Sequence, residues 1–335
     1  MKSRIFFSIC FFIVVLSTAK AQDFKVHSHN DYQQNIPFWK AIGAEVHSIE
    51  VDVFLQNGKL LVAHELSEVE DSKTLQRMYL EPLKEVLELG LLSNKPLQLL
   101  IDVKSDAYKT LDVIIDVLKA YLMITANTDI EIVISGNRPK LAEYIKYPGF
   151  ISFDYQSLEP ITDTATLSKI AMVSLSFRNF SDWNGKGRLT ATDYNAVVHT
   201  IAKAHELNKP FRFWATPDSK SAWKVFADMG VDFINTDMPS ECVLYVNSLK
   251  QRVVQNTVFS EVYHPTFASD RAKRNPKNII LMIGDGNGLT QISSATLANN
   301  GALSLTQLKS IGFIKTQSAD DFTTDSAAAG SAIAT

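Results

Sequence analysis

Residues 46–54 read VHSIEVDVF, a run of mostly β-branched and apolar residues that carries two acidic ones. Side chains two positions apart on a strand point to the same face, so Glu50 and Asp52 are expected to share one side of this strand. Seven more runs of strand composition lie between residues 24 and 237, and amphipathic helical patterns separate several of them. They are FKVHSH, LQLLIDVK, IEIVIS, FISFDY, AMVSLSF, FRFWAT and VDFINTD.

Eight strand–helix units in succession predict an α/β fold, a closed parallel TIM (β/α)8 barrel. A doubly wound open sheet is the alternative, and periodicity alone does not exclude it. The positions of the polar side chains favour the barrel, because barrels build their active sites at the carboxyl ends of their strands. The residues at or near these ends are His29, Glu50, Asp52, Asp102, Ser135, Asp154, Trp214 and Asp237.

The carboxylates at the first of these strand ends suggest a metal site. Glu50 and Asp52 on one strand, joined by Asp102 from the next, form an all-oxygen group suited to a hard cation such as Mg2+ or Ca2+. His64 follows in LLVAHE, so that with His29 two imidazoles lie near one metal. A metal, a base for the attacking hydroxyl and an acid for the leaving oxygen are the groups that cleave a phosphodiester.

Four ordered motifs between about residues 25 and 245 resemble the glycerophosphodiester phosphodiesterase and phosphatidylinositol-phospholipase-C-like superfamily. The motifs are HSHNDY, IEVDVFLQNGKLLVAHE, LLIDVKSD and GVDFINTDMP. The resemblance implies a TIM barrel with divalent-metal phosphodiesterase activity. It implies that His29 and His64 are the acid–base pair and that Lys104 is a basic residue in the site. It also implies that the metal ligands are Glu50, Asp52 and Asp102.

Two positions depart from the pattern of that superfamily. Asn30 follows the first histidine, where members usually have a phosphate-binding arginine. A neutral amide holds a phosphate less firmly than a bidentate guanidinium does. The third metal ligand, often Glu in the superfamily, is Asp102 here.

A second set of motifs lies near the end of the chain. NIILMIGDGNG, residues 278–288, predicts a strand, a glycine-rich turn and a helix, with Asp285 in the turn. TTDSAAAGSAIAT, residues 323–335, puts Ser326 at a helix start, where free N–H groups favour an anion. Together they resemble the alkaline phosphatase family. The resemblance implies that Asp285 is a metal ligand. It also implies that Ser326 is the phosphate-accepting nucleophile and contacts a cluster of Zn2+ and Mg2+ ions.

The alkaline phosphatase family completes its zinc sites with downstream histidines and carboxylates, and no histidine follows His264. We therefore expect an incomplete phosphatase domain in a fragment of a longer, bifunctional phosphoric ester hydrolase. The alternative is a non-catalytic barrel that binds a phosphate ligand and serves as an accessory module to the phosphatase. Asn30 favours this alternative, whereas the intact acid–base and metal-ligand set favours an active phosphodiesterase.

The amino terminus resembles a signal peptide. Two basic residues precede an apolar run over residues 5–16, and residues 19–21, Ala-Lys-Ala, form a small-x-small cleavage pattern. A periplasmic or secreted location is expected, without an integral membrane segment after cleavage. The predicted domains are a signal peptide at 1–21, the barrel at 22–254, a linker at 255–276 and the truncated phosphatase part at 277–335.

Charge and composition restrict the partners. The chain has 33 basic and 36 acidic residues and no basic block, which excludes nucleic acid as a partner. The expected substrate is a small-molecule or lipid-derived phosphate ester. Of the two cysteines, Cys10 lies in the predicted signal peptide, so no internal disulfide is expected in the remainder of the chain.

Overall fold

The computed structural model describes residues 24–92, 96–249, 251–252, 255–270, 273, 275–315, 317–319 and 324–334. The predicted signal peptide, residues 1–21, lies outside these ranges. The chain divides into two compact units between residues 252 and 253. The first is called the barrel unit below, and the other the second unit.

The barrel unit contains eight parallel strands that close on themselves, so the predicted TIM-type barrel is confirmed. Its strands follow the order β1-β2-β4-β5-β6-β7-β8-β9, and β9 pairs with β1. Each of the eight predicted runs forms one of these strands. The bounds are β1 Lys25–Ser28, β2 Ser48–Gln56, β3 Lys59–Val62, β4 Leu97–Val103, β5 Ile130–Gly136, β6 Ile151–Tyr155, β7 Ile170–Ser176, β8 Phe211–Trp214 and β9 Phe233–Thr236.

Strand β3 is an addition that the sequence reasoning did not separate from β2. It pairs antiparallel with the end of β2, where Gln56 lies opposite Lys59. The two residues between the strands, Asn57 and Gly58, have φ of 49° and 76°. Positive φ at both positions is the type I′ geometry that Asn-Gly favours and that suits the twist of a hairpin. The hairpin turns the chain back toward the barrel, so that His64 follows directly after β3.

Helices cover the outside of the barrel, and side-chain caps start four of them. Asp106, Asp163, Thr190 and Ser219 each accept a backbone N–H in the first turn of the helix that follows. The helices are α1 Trp39–Gly43, α2 Glu81–Glu88, α3 Ala107–Leu118, α4 Leu122–Thr125, α5 Thr164–Ser168, α6 Ala191–His205, α7 Lys220–Met229 and α8 Pro239–Leu249. Among the described residues, no helix has the length and apolarity needed to cross a membrane.

The barrel interior changes from apolar to polar along the strands. Leu100, Val133, Met172 and Phe233 form a small buried cluster together with Ala171. Two residues further along the same strands are Asp102, Ser135, Ser174 and Asn235, which are polar. Since side chains two apart share a face, the inward face is apolar first and polar toward the carboxyl ends. The polar layer is therefore built at the end where barrels carry their sites.

The second unit differs from the predicted strand–turn–helix. It contains α9 Leu289–Ala298 and α10 Ser326–Ala334, but residues 278–283 form no strand, and residues 279–283 are 62–89% exposed. The strand prediction is wrong here because a strand forms only where another strand takes up its backbone hydrogen bonds. The segment predicted as a linker makes contacts in this unit: the Asn256 side chain donates to Ala298 O at 2.8 Å. The domain boundaries remain predictions.

Candidate functional site

Three carboxylates from adjacent strands form the centre of the candidate site. Asp52 on β2 lies directly opposite Asp102 on β4, and Glu50 precedes Asp52 by two residues on the same face. One oxygen from each residue lies within 4.8 Å of the others. The Oδ1 atoms of Asp52 and Asp102 are buried and have no hydrogen-bond partner. Buried, unpartnered carboxylate oxygens in such a group fit a hard divalent cation, which prefers charged oxygen ligands.

Lys104 lies against two of the carboxylates. Its Nζ is 3.1 Å from Asp52 Oδ2 and 3.3 Å from Asp102 Oδ2. Burial and the charge of Glu50 nevertheless raise the pKa of Asp102 to about 6. Burial and the same charge also raise the pKa of Asp52. The group therefore has more negative charge than its neighbours offset, which is the electrostatic condition for binding a cation.

Gly136 allows Asp102 its position. The backbone of Gly136 has φ of +66°, and an added Cβ would lie 1.9 Å from Asp102 Oδ1. Both the backbone conformation and the close approach require glycine here. The residue ends β5, directly opposite Val103 on β4. The strand end therefore leaves room for the Asp102 carboxylate to turn toward the site.

Glu50 is held from the opposite wall of the barrel by Arg212 on β8. Its Oε2 is 2.6 Å from Arg212 Nη1 and 2.6 Å from His27 Nε2. Burial acts to raise the pKa of Glu50, but the Arg212 guanidinium and the His27 hydrogen bond hold it well below its usual range. Burial and Arg212 lower the pKa of His27 to about 3, so that His27 is neutral. Arg212 also donates to Asn235 Oδ1 at 3.1 Å.

Sequence reasoning missed Arg212, although a signal was present. Arg212 lies two residues before Trp214, a residue expected at the site, so strand alternation puts both on one face. A charged residue within the apolar run FRFW is also unusual, because buried arginine needs a partner.

The two predicted acid–base histidines have different surroundings. His64 Nδ1 lies 3.1 Å from Asp52 Oδ2 and 3.2 Å from the Tyr32 hydroxyl, so it is in contact with the carboxylate group. His29 Nδ1 pairs instead with Asp237 Oδ1 at 2.7 Å. Burial lowers the pKa of His29, but the hydrogen bond with Asp237 and the charge of Glu50 outweigh burial and raise it.

The loop after β1 is anchored by a buried aspartate. Asp31 accepts hydrogen bonds from Phe38 N at 2.6 Å, Ser28 Oγ at 2.9 Å and Tyr79 Oη at 3.1 Å. The anchored loop carries Tyr32, whose hydroxyl donates to Asp52 Oδ2 at 2.9 Å. Neither residue was assigned a role from the sequence, although both belong to the quoted motif HSHNDY.

In the second unit, the two residues of the phosphatase motifs lie together. Ser326 Oγ donates to Asp285 at 3.0 Å to Oδ1 and 2.9 Å to Oδ2. Asp325 caps α10 by accepting Ala328 N at 2.7 Å. Among the residues that the structure describes, Asp285 belongs to no group of three or more metal-binding side chains. The predicted Zn2+ and Mg2+ cluster is therefore not formed by the described part of this unit.

Comparison with known proteins matches the barrel unit. The AIM6-like phosphodiesterase domain matches residues 17–94, and the glycerophosphoryl diester phosphodiesterase family matches residues 210–240. These matches support the predicted phosphodiesterase barrel. Neither of them describes a phosphatase, so the alkaline phosphatase assignment has no support from the comparisons. A crystal structure of a glycerophosphodiester phosphodiesterase from Parabacteroides distasonis is 17% identical, with a TM-score of 0.47, and the similarity covers 69% of this chain and 99% of that one.

The predicted periplasmic or secreted location is wrong. The curated relatives are fungal proteins named for altered inheritance of mitochondria, from organisms such as Eremothecium gossypii and Arthroderma benhamiae. A bacterial periplasm is not a compartment of fungal cells. An apolar amino-terminal run after basic residues does not by itself identify a cellular compartment.

Two of these relatives match more than half of this chain. The Arthroderma benhamiae homolog of altered inheritance of mitochondria protein 6 is 29% identical over an alignment of 253 residues that covers 63% of this chain and 80% of that protein. The Eremothecium gossypii protein is 30% identical over an alignment of 261 residues that covers 64% of this chain and 67% of that protein. On this identity and coverage, the chain belongs to the family of altered inheritance of mitochondria protein 6.

Proposed function

We propose that the barrel unit hydrolyses phosphodiesters with the help of one Mg2+ or Ca2+ ion bound by Glu50, Asp52 and Asp102. The observation that carries the proposal is the three-carboxylate group with its two unpartnered buried oxygens. Contacts of His64 and Lys104 with this group support it further. The matching family models, both named for phosphodiesterases, point to the same reaction class. The substrate is a small-molecule or lipid-derived phosphate ester.

The residues around the carboxylates provide the proton transfers. The ion, when bound, supplies positive charge that neutralises the phosphate. Burial lowers the pKa of His29, but Asp237 and Glu50 outweigh this effect and raise it, so His29 keeps its proton to a higher pH than a free imidazole and can donate it to the leaving oxygen. His64, oriented by Asp52, takes a proton from the water that attacks the phosphorus, while the bond from phosphorus to the leaving oxygen breaks. The Lys104 ammonium adds a second positive charge next to the phosphate. The neutral side chain of Asn30 does not provide such a charge.

Calorimetry and a diester assay test this proposal together. Removing a ligand charge should weaken Mg2+ or Ca2+ binding, so we expect Asp102→Asn and Glu50→Gln each to lower the affinity by at least about tenfold. Hydrolysis of bis(4-nitrophenyl) phosphate should fall in parallel. Asp116→Asn, which removes an exposed carboxylate on α3, is the matched control and should change neither quantity.

Two results would count against the proposal. Unchanged metal affinity in both variants would remove the carboxylates from the metal site. Metal and phosphate binding without turnover of any diester would favour the alternative, a non-catalytic barrel that binds a phosphate ligand.

A second, separate proposal concerns the role of Ser326 in the second unit: it is the phosphate-accepting nucleophile of a phosphomonoesterase site that the described residues do not complete. The contact between Ser326 Oγ and Asp285 supports it. The zinc site requires further ligands, so we expect no zinc-dependent hydrolysis of 4-nitrophenyl phosphate by this chain. If this chain hydrolysed 4-nitrophenyl phosphate and Ser326→Ala abolished the activity, the phosphatase site would be complete.

A further inference from the structure

A buried polar group lies beside the carboxylates but takes no part in the mechanism above. Asp154 on β6 is 0% exposed. Its Oδ2 accepts hydrogen bonds from Ser174 Oγ at 2.6 Å, Ser135 Oγ at 2.8 Å and Gln156 Nε2 at 3.3 Å. Its Oδ1 is buried and has no partner. A buried carboxylate oxygen without a partner has lost the hydrogen bonds that water would provide, so a ligand that donates to it is favoured.

An unpaired donor lies next to this unpaired acceptor. Arg138 Nη1 is 3.8 Å from Asp154 Oδ2, too far for a hydrogen bond, and it is buried without a partner. The Arg138 side chain is 15% exposed and lines an open depression of about 460 Å3. Tyr144, which also lines this depression, stacks on Phe153 with ring centroids 3.7 Å apart. The guanidinium therefore lies between the buried carboxylate and the solvent.

The group is close to the proposed metal site. Ser135 lies directly opposite Asp102 in the pairing of β5 with β4, and its hydroxyl binds Asp154 on the next strand. Neighbouring strands are about 4.8 Å apart, so the backbones of Asp102 and Asp154, two strands apart, are separated by about 10 Å along the barrel wall. A three-carbon alcohol esterified to a phosphate at the metal site spans most of this distance.

We propose that Asp154 and Arg138 form a subsite for a hydroxyl group on the alcohol part of the substrate. A hydroxyl donates one hydrogen bond and accepts another. It would donate to Asp154 Oδ1 and accept from Arg138 Nη1. A fully ionised phosphate has no donor for Asp154 Oδ1, and its charge would be repelled by the carboxylate. Entry of the hydroxyl requires the side chains of Arg138 and Gln156 to move aside, and the two 3.3 Å contacts of Gln156 are the longest hydrogen bonds in the group.

This inference rests on the proposed phosphodiesterase function, because the phosphate must lie at the carboxylates. The test compares two monoesters that share a phosphate and three carbons, glycerol phosphate with two hydroxyls and propyl phosphate with none. Calorimetry on the full chain with Mg2+ measures both affinities. We expect the unchanged protein to bind glycerol phosphate at least roughly tenfold more tightly than propyl phosphate, because a hydrogen bond to a charged group contributes an affinity difference of this size.

Two variants assign this preference to the subsite. Asp154→Asn and Arg138→Gln should each lower the ratio of the affinity for glycerol phosphate to that for propyl phosphate toward one. The affinity for propyl phosphate itself should stay unchanged. Arg138→Gln keeps the test decisive if the Asp154 variant fails to fold, because Arg138 Nη1 has no hydrogen-bond partner and the Arg138 side chain is partly exposed. Arg188→Gln, an exposed arginine, is the matched control and should retain the preference.

Two outcomes would overturn the subsite. Equal binding of the two monoesters by the unchanged protein would mean that no hydroxyl is recognised. An equal loss of affinity for both monoesters in Arg138→Gln would mean that the guanidinium binds the phosphate instead of the hydroxyl. Failure of the unchanged protein to hydrolyse bis(4-nitrophenyl) phosphate, with the hydroxyl preference intact, would reject the proposed function and leave the subsite supported.

Discussion

At the residue scale, the balance of charge in the barrel mouth decides the chemistry. Two unit charges 4 Å apart interact by about 4 kcal/mol at an effective dielectric constant of about 20, so three carboxylates within 4.8 Å of one another repel strongly. Lys104 offsets Asp52 and Asp102, and Arg212 offsets Glu50. The remaining charge is about one negative unit, and burial together with Glu50 raises the pKa of Asp102 to about 6 in response. Cation binding would therefore compete with a proton on Asp102.

The pairing of His29 with Asp237 predicts a change in pH dependence. Asp237 raises the pKa of His29 against the effect of burial, so Asp237→Asn should lower it. A general acid works only while protonated, and activity falls as the pH rises through its pKa. The alkaline limb of kcat/KM for a diester should therefore move to lower pH in Asp237→Asn.

His29→Ala provides the reference for this measurement. Loss of a general acid should reduce kcat by about 100-fold or more and remove the alkaline limb. Asp228→Asn is the control, because Asp228 is an exposed carboxylate on α7. This substitution should leave the pH dependence of kcat/KM unchanged. An unchanged alkaline limb in Asp237→Asn would exclude His29 as the acid that this limb reports.

At the element scale, the hairpin of β2 and β3 brings His64 to the site. The barrel wall itself consists of the eight parallel strands, and β3 pairs with the end of β2 and bridges to Thr74 in the segment that follows. Its position depends on the tight turn at Asn57 and Gly58, where both residues have positive φ. His64 follows β3 by two residues, so the geometry of the turn determines where the imidazole lies.

Gly58→Ala tests the turn. An added Cβ would meet no atom within 4 Å, so the cost is conformational alone, about 1–2 kcal/mol for an L-residue in the left-handed region. We expect urea unfolding to show this loss of stability and diester hydrolysis to fall as His64 becomes less well held. Gly149→Ala is the matched control, because its added Cβ also meets no atom within 4 Å and its φ is not positive. Equal stability of the two variants would contradict the assigned turn geometry.

At the scale of the whole molecule, the barrel unit has a complete structure of its own. Pairing of β9 with β1 closes the sheet, so the barrel leaves no unpaired edge in its wall. The carboxylates, both histidines, Lys104 and Arg212 all belong to this unit. The second unit, by contrast, exposes apolar residues such as Ile280, Met282 and Phe313, at 86%, 89% and 91%.

A chain stopped after Arg252 should therefore fold and retain diester hydrolysis. We expect its melting temperature to stay within about 3 °C of that of the full chain, the size of a 1 kcal/mol effect in a domain of this length. Calorimetric unfolding and the bis(4-nitrophenyl) phosphate assay measure both quantities. Loss of folding or of activity on this truncation would mean that the barrel needs the remainder of the chain.

Local patterns were sufficient to predict the eight strands, the closed barrel and the shared face of Glu50 and Asp52. Alternation along a strand and the repetition of strand–helix units are properties of neighbouring residues, so the sequence alone carries them. The hairpin turn at Asn57 and Gly58 was missed, although Asn-Gly favours its geometry. The strand prediction at residues 278–283 used the same local signal and was wrong, because composition does not supply a pairing partner.

Only the tertiary structure decided which distant side chains meet. Arg212 and Glu50 are 162 residues apart in the chain, and His29 and Asp237 are 208 apart. These contacts depend on the closure of the barrel, which brings β8 and β9 back to β1 and β2. The unpaired atoms of Asp154 and Arg138 were likewise invisible in the sequence, because burial and the absence of a partner depend on all surrounding strands. Sequence therefore determined the scaffold and its carboxylates, and folding decided their charge partners, since electrostatic interactions act through space and not along the chain.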